Sequence, residues 1–294
     1  MKGIDVAIAD PIPPVTKFDK RPSVKFLIEE NCQSIDEVKR DLQTDPLYDT
    51  NKHDDLWILR FLMSHKKKPK AAAKAAKTTL VFRKEDKLDE GDIRAYPVGQ
   101  ESKSEGLKRY LKYCTDDALS FVVPDPQRGV IVFFVLAGMD QHQMVKNVDG
   151  QDWLPSFFYL NEWSHQWVDY VTRTTGRLTK SVQLADTKGI SLGGINSGKC
   201  RRDGKVIGIM EDCYPQMLQG TLVCNAPAWA QIPWRICRPL LPKRMVQKID
   251  FVNSAKNEKE RKRLFAYISE EHLPARFGGK NEAWPADFPP PLVG

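Results

Sequence analysis

The pattern of apolar and polar residues divides the chain into a helical first third and a mixed remainder. Apolar positions at helical spacing follow Ser34, Asp54 and Pro69, and the third of these segments is rich in alanine, which favours helix. Ser34 and Glu37 have the spacing of a capping box, and Asp54 or Asp55 can cap the second helix. These features predict a small helical module near the amino terminus.

Beyond this module, short β-rich runs alternate with helical patterns. The expected strands are 119–123, 129–136, 181–186, 221–225 and 248–252, and the expected helices include 152–173 and 258–271, with a further short one within 205–213. Strands separated by helices favour a sheet with parallel pairs and helices packed on it, so the predicted fold class is α/β.

The chain therefore falls into four predicted regions. Residues 1–30 form an extended, proline-containing arm, 31–100 the helical module, 101–280 the main domain, and 281–294 a proline-rich tail.

One predicted helix differs from the others in its charge. Between Ala226 and Met245 there is no acidic residue, while Trp229, Ile232, Ile236 and Leu240 recur at helical spacing. Such a helix either belongs to a core or covers something apolar, and this choice bears directly on function.

Composition and cysteine spacing indicate the cellular setting. No window of about eighteen apolar residues occurs, so a membrane-spanning helix is not expected, and the first residues lack the order of a secretory signal. The six cysteines lie far apart without a C-x-x-C pair, as is typical of reduced thiols in the cytoplasm. The formal net charge is +7, and its basic clusters fit a solvated face or an anionic membrane. Nucleic acid is not expected as a partner, because stacking aromatics do not accompany these clusters.

Motifs for catalysis are missing. The run 193–200, GGINSGKC, resembles a phosphate-binding loop but has Cys200 where a magnesium-binding Ser or Thr is needed. There is no G-x-S-x-G elbow, and the five histidines do not have metal-ligand spacing. We therefore expect no enzyme activity, no metal and no cofactor.

Several short motifs follow one another over roughly 34–280: Asp55-Leu56 with Leu59-Arg60-Phe61-Leu62, Gly129–Phe133, Val182–Ser191, Tyr214-Pro215, Asn225-Ala226-Pro227, Arg238-Pro239-Leu240-Leu241, Lys248-Ile249, and Leu273-Pro274 with Phe277-Gly278-Gly279. Together and in this order they resemble the CRAL-TRIO lipid-binding family, including its yeast-type phosphatidylinositol/phosphatidylcholine transfer members. The resemblance implies an α/β sandwich whose sheet floors an apolar pocket, closed by a movable helical lid, here the acid-free segment 229–241.

The resemblance also implies roles for individual residues. Lid and pocket wall would be formed by Trp229, Ile232, Trp234, Ile236, Leu240, Val132, Phe134 and Leu184. A lipid headgroup would meet Lys248, Ser181, Gln183, Gln216, His65 and Lys66. Arg238, Lys243 and Arg244 would face the membrane. A bound lipid or other lipophile is expected, with a transiently contacted membrane surface as the second partner and a monomer as the favoured state.

The headgroup positions depart from the family pattern of inositol-lipid binders. Gln216 stands where those proteins have Glu, Met245 where they have Thr, and His65 where they have Arg. Lys248 is kept and can attract a phosphate. Phosphatidylinositol, phosphatidylcholine and a neutral lipophile (retinoid, tocopherol, carotenoid or sterol) all stay open as ligands, and a lipid-sensing interaction module is the competing functional class.

Overall fold

The computed structural model describes an α/β protein over most of its length. The described residues are 7–8, 19–89, 91–94, 108–109, 112–114, 119–125, 129–135, 140, 143, 147, 150–188, 208, 212–230, 232, 234–235, 238–241, 243–252, 258–271, 273–280 and 292–293. They form a helical module followed by a five-stranded sheet with parallel pairs. The fold class predicted from the sequence is confirmed.

The elements follow one another as the sequence patterns suggest. The helices are α1 (Val24–Glu30), α2 (Cys32–Leu42), α3 (Asp55–Ser64), α4 (Pro69–Glu85), α5 (Gly150–Thr175), α6 (Lys243–Val246) and α7 (Glu258–Phe265). The strands are β1 (Ala7–Ile8), β2 (Leu119–Asp125), β3 (Gly129–Val135), β4 (Ser181–Asp186), β5 (Leu218–Cys224), β6 (Ile249–Val252) and β7 (Leu292–Val293). Single 3-10 turns lie at Ala228–Ala230, Arg238–Leu240 and Ala275–Phe277.

Local sequence explains where two helices of the N-terminal module (α1 to α4) begin. The Asp54 carboxylate accepts the backbone N–H of Trp57 at 3.0 Å and so caps α3. Pro69 occupies the first turn of α4, where its missing N–H costs nothing.

Two predictions about the start of this module are wrong. The capping box at Ser34 does not form, because α2 already begins at Cys32, with Asn31 at the N-cap position. Residues 24–30 are not part of an extended arm but form α1, capped by Ser23.

The module has its own core, built by the inward faces of α2, α3 and α4. Helix α3 contributes most because its apolar residues extend around more than one stripe. The buried members are Ile35, Val38, Leu42, Ile58, Leu59, Phe61, Leu62, Ala72, Ala73 and Ala76. The alanines of α4 let its backbone approach the other two helices closely.

The main sheet has the strand order β2-β3-β4-β5-β6. The β2–β3 pair is an antiparallel hairpin, whereas β3, β4, β5 and β6 run parallel to one another. Helix α5 provides the crossover from β3 to β4. Near the chain ends, β1 pairs antiparallel with β7. In the part of the chain that the structure describes, no helix combines the length and the hydropathy that crossing a bilayer would require.

Candidate functional site

The two faces of the parallel strands are buried to different extents. Burial alternates residue by residue along β5 and, from Val182 on, along β4, as the pleat of a strand requires. One face is closed by a core that includes residues of α7 and of the segment after it: Val182, Leu184, Leu222, Cys224, Val252, Leu264, Ile268, Leu273 and Phe277. The other, which we call the half-buried face, carries Gln183, Ala185, Thr221, Val223, Ile249 and Phe251.

Strand register decides which of the predicted pocket residues share the half-buried face. Val132 and Phe134 of β3 are the register partners of Gln183 and Ala185, so their positions belong to it. Leu184 does not. It lies on the opposite face, completely buried in the core with Leu264 and its neighbours. The prediction of Leu184 as pocket wall is corrected, because one step along a strand reverses the face.

The half-buried face carries a polar pair in an otherwise largely apolar row. Thr221 and Gln183 are register partners on β5 and β4, and the Thr221 hydroxyl donates to Gln183 Oε1 at 3.1 Å. Gln183 is one of the predicted headgroup residues. Thr221 was missed, although the alternation of β5 could have indicated it.

The predicted lid segment (229–241) contacts this face through Trp234. Its ring meets the Phe251 ring of β6 edge-on, with centroids 5.4 Å apart and planes at 63°. Ile232, two residues earlier, is 62% exposed. The segment thus turns an aromatic residue toward the sheet and an aliphatic one outward.

The lid segment was predicted as one helix, but its described residues do not form one continuous α-helix. A 3-10 turn at Ala228–Ala230 overlaps its start, with half-buried Trp229 in the middle, and another 3-10 turn near its end includes Leu240. Ile232, Trp234 and Arg235 are helical. Ile236 lies outside the described residues.

Several predicted headgroup residues meet at the amino-terminal edge of the parallel strands. Gln216, in a left-handed conformation at φ 61°, donates from Nε2 to Ser64 Oγ at 3.1 Å. The next residue, Met217, accepts through its carbonyl from the Ser181 hydroxyl at 3.1 Å. The Gln216–Met217 step therefore links the end of α3 to the start of β4.

His65 and Lys66 directly follow Ser64, so the same contact brings them to this edge. The His65 ring nitrogen Nδ1 lies 3.0 Å from the Phe61 carbonyl, and Lys66 is exposed. Lys248 immediately precedes β6, and its carbonyl accepts from Thr221 N at 2.8 Å. Lys248 is thus at the same edge of the sheet, one strand further along.

Of the residues predicted to face a membrane, Arg238 and Lys243 are exposed. Arg244 is half-buried and forms an ion pair with Asp212, whose carbonyl also accepts from the Thr79 hydroxyl of α4 at 3.2 Å. The placement of Arg244 on an outward face is therefore corrected, since its charge is already matched within the protein. This contact sets α6 beside α4.

A buried ionic network between the module and α5 was missed from the sequence. Arg83 of α4 makes two hydrogen bonds of 3.0 Å to the Glu162 carboxylate, and Gln166 adds a third at 2.9 Å. Arg60 of α3 is only 2% exposed and lies 3.0 Å from Asp169. A cleft of about 390 Å³ opens along these groups.

Burial and neighbouring charges shift the pKa values in this network in opposite directions. Burial alone would raise the pKa of Glu162, but Arg83, with contributions from His165 and the Gln166 hydrogen bond, holds this pKa below its ordinary value. Burial, reinforced by the Arg60 charge, lowers the pKa of His165 to about 4. Near neutral pH the network therefore contains an ionised Glu162 and a neutral His165.

Long-range partners made this network invisible in the sequence. Arg83 and Glu162 are 79 positions apart, and each reads as an ordinary charged residue of a helix surface. The useful signal was compositional: both sit among apolar neighbours on faces that the helical period turns inward.

Comparison with known proteins gives concordant matches. The family model described as "CRAL/TRIO domain" matches residues 115–279, more than half of the chain. The CRAL-TRIO domain-containing protein F28H7.8 of Caenorhabditis elegans is 23% identical over 85% of this chain and 58% of its own length. Patellin-3 of Arabidopsis thaliana is 23% identical over 76% of this chain and 42% of its own. The chain thus spans about half the length of these relatives. The crystal structure of Sfh5 superposes with a TM-score of 0.52 at 14% identity, covering 88% of this chain and 84% of that one.

Proposed function

Because the chain belongs to the CRAL/TRIO domain family, whose members are lipid-binding and lipid-transfer proteins, we propose that it sequesters one phospholipid and exchanges it at membranes. The ligand would be of the phosphatidylinositol or phosphatidylcholine class. Its acyl chains would lie on the half-buried face beneath the lid segment, and no catalysis would be involved. The observation that carries the proposal is the contrast between the two sheet faces, one sealed and the other half-buried under Trp234.

The physical need for a lid follows from the cost of exposing a lipid. Moving a chain of about sixteen carbons into water costs about 0.8 kcal/mol per methylene, on the order of 13 kcal/mol in all. A lipid would therefore not leave into water on a useful timescale. Exchange requires the lid segment to open against a bilayer, and exposed Ile232, Arg238 and Lys243 suit that contact.

The amino-terminal edge of the sheet is the proposed headgroup end. Lys248 supplies a positive charge for phosphate, and Gln216, His65 and Lys66 lie at the same edge. Gln183 and Thr221 supply a second polar group on the half-buried face itself.

A neutral lipophile, such as a retinoid, tocopherol, carotenoid or sterol, is the second candidate. It is favoured by one observation: the Ser181 hydroxyl and the Gln216 amide already donate to Met217 O and Ser64 Oγ inside the protein. Fewer hydrogen-bond donors are then available to bind a large polar headgroup. A lipid-sensing interaction module, in which the ligand exchanges slowly and a protein partner is docked, is the third.

A cytoplasmic location with transient membrane contact is consistent with the buried, unreactive thiols of two cysteines. Burial raises the pKa of Cys224 to about 12, and it raises that of Cys213, also buried, to about 12. Such thiols are mostly protonated near neutral pH and react slowly.

Native mass spectrometry of the purified protein, followed by organic extraction, tests the proposal. We expect one phospholipid per protein; a neutral lipophile would support the second candidate, and a ligand-free protein would refute the proposal that a lipid is carried.

Trp234→Asp should then abolish transfer between liposomes while the protein stays folded. Phe26→Asp, which introduces the same charge at an exposed aromatic residue of α1, is the control. Undiminished transfer by the Trp234 variant would contradict the lid.

A further inference from the structure

Helix α4 presents a continuous basic face to solvent. Lys70, Lys74, Lys77, Val81 and Lys84 fall within about 80° of one another at 100° per residue, and they extend for roughly 21 Å along the axis. The buried residues of α4 lie on its other side. Exposed Lys66, Lys67 and Lys68 continue the charge beyond the amino end. We call these seven lysines, 66–68, 70, 74, 77 and 84, the α4 lysine face.

This face is electrostatically unfavourable for the isolated protein. Lys70 and Lys74, then Lys74 and Lys77, are like-charge neighbours at helical spacing. The first turn of α4 has no acidic residue, so its positive end meets further positive charge. Among the described residues, no carboxylate lies within 4.0 Å of the ammonium groups of these three lysines. Exposed lysines of other helices do have such partners, for example Lys25 with Glu29 and Lys262 with Glu258.

The backbone at the amino end of the face adds to this cost. Lys66 and Lys67 have φ values of 55° and 56°, in the left-handed region where glycine is the cheapest residue. Two lysines thus stand where the local conformation favours glycine. Lys67 has a partner within the protein, Glu30 at 3.1 Å, so an external counter-charge would account for Lys66 and for the repelling lysines of α4.

We propose that the α4 lysine face docks onto an anionic bilayer surface. The inference rests on the proposed function, since exchange of a lipid requires contact with a membrane. Long lysine stems can lie along the bilayer interface while their charges reach the phosphates. Val81, 45% exposed in the middle of the face, supplies an apolar contact. The Thr79–Asp212–Arg244 contact sets α4 beside α6, directly after the lid segment.

A bilayer fits this face better than nucleic acid does. The exposed positions of α4 are lysine, alanine, threonine, valine and glutamate, without an aromatic side chain on which a base could stack.

The test compares sedimentation with vesicles of phosphatidylserine and phosphatidylcholine against vesicles of phosphatidylcholine alone. Lys70→Ala with Lys74→Ala and Lys77→Ala should weaken binding to the anionic vesicles roughly fivefold per lysine, about a hundredfold together. The matched control is Lys25→Ala with Lys259→Ala and Lys262→Ala, which removes the same charge from other exposed positions and should bind nearly as the wild type does. Equal loss in both triple variants, or no loss in either, overturns the proposal.

Lys66→Gly separates binding from folding. It removes a charge of the face and relieves the left-handed strain, so the thermal midpoint should rise while vesicle affinity falls; unchanged affinity counts against the proposal.

Wild-type binding to single-stranded RNA but not to anionic vesicles overturns the proposal as well. The lipid content of the first triple variant should match the wild type. A wild type that carries no lipid yet binds anionic vesicles through α4 would refute the proposed function alone.

Discussion

Arg83 and Glu162 form a two-pronged ion pair across the boundary between the N-terminal module and α5. Each of the two guanidinium NH groups lies 3.0 Å from a different carboxylate oxygen, and both side chains are almost wholly buried. Asp89 and Gln166 complete the arrangement around them. A pair of this kind is costly to break from one side, because the remaining charge stays in the interior.

Glu162→Gln should therefore lower the free energy of unfolding by about 3 kcal/mol. The amide keeps the shape of the side chain but leaves Arg83 without its principal counter-charge. Urea unfolding monitored by circular dichroism measures the loss. Glu29→Gln, which breaks the exposed Lys25–Glu29 pair, should leave the midpoint unchanged. Equal effects of the two variants would contradict a buried, structural role for the pair.

His165 predicts how stability depends on mildly acidic pH. Burial lowers its pKa from 6.5 to about 4 in the folded state, so between these values the unfolded chain binds a proton that the folded protein does not. The free energy of unfolding should fall by about 3 kcal/mol as the pH drops through this window.

His165→Gln isolates this contribution to the pH dependence of stability. The slope of unfolding free energy against pH between 6.5 and 5 should flatten, with a remainder from His53, whose pKa burial also lowers. Glu162 affects stability only at lower pH, because a carboxylate with a depressed pKa loses its stabilising effect only below its ordinary value of 4.5. An unaltered slope would show that His165 is protonated when folded.

Gln183 and Thr221 should influence which lipid is carried. Gln183→Leu combined with Thr221→Val removes both partners of one hydrogen bond while keeping their shapes, a change that costs a fold little. If the polar end of the ligand reaches this pair, the extracted lipids should shift toward less polar species, as mass spectrometry can quantify. Gln33→Leu, at an exposed position on α2, should not alter the extract. An identical lipid profile in all three proteins would place the headgroup elsewhere.

Gly279 should tolerate no side chain. An added Cβ would lie 1.9 Å from the Leu273 carbonyl oxygen, so the turn that follows α7 would have to open. Gly279→Ala should lower the unfolding free energy by about 3 kcal/mol through overpacking. Gly91→Ala is the matched control, because nothing lies within 4 Å of its added carbon. Similar thermal midpoints for the two variants would contradict this account.

Elements with strong local signals could be predicted from the sequence. Strand β4 has the predicted bounds 181–186, and Asp54 caps α3 as one of two expected candidates. The start of α2 could not be predicted, because Ser34 and Glu37 satisfy a capping pattern that also occurs inside a helix. Local chemistry identified the elements, and tertiary packing set this boundary.

The site could be predicted only in part, because its residues depend on register and on distant partners. Alternation along a strand is visible in a sequence, but which face is sealed depends on where α7 packs; this is why Leu184 was misplaced. Arg244 had a basic neighbourhood that suggested exposure, whereas its partner Asp212 lies 32 positions away. The ionic network around Arg83 left only a weak local signal, the apolar neighbours of Arg83 and Glu162 on their helices.

Arg60 and Arg83 carry positive charges of the first helices into the midst of carboxylates held by α5. Parting these helices would separate the guanidinium groups from their carboxylates, at a cost of several kcal/mol. The module and α5 should consequently travel as a single rigid frame. A hinge that lets a ligand enter should then lie after that frame, in the part of the chain that follows β5.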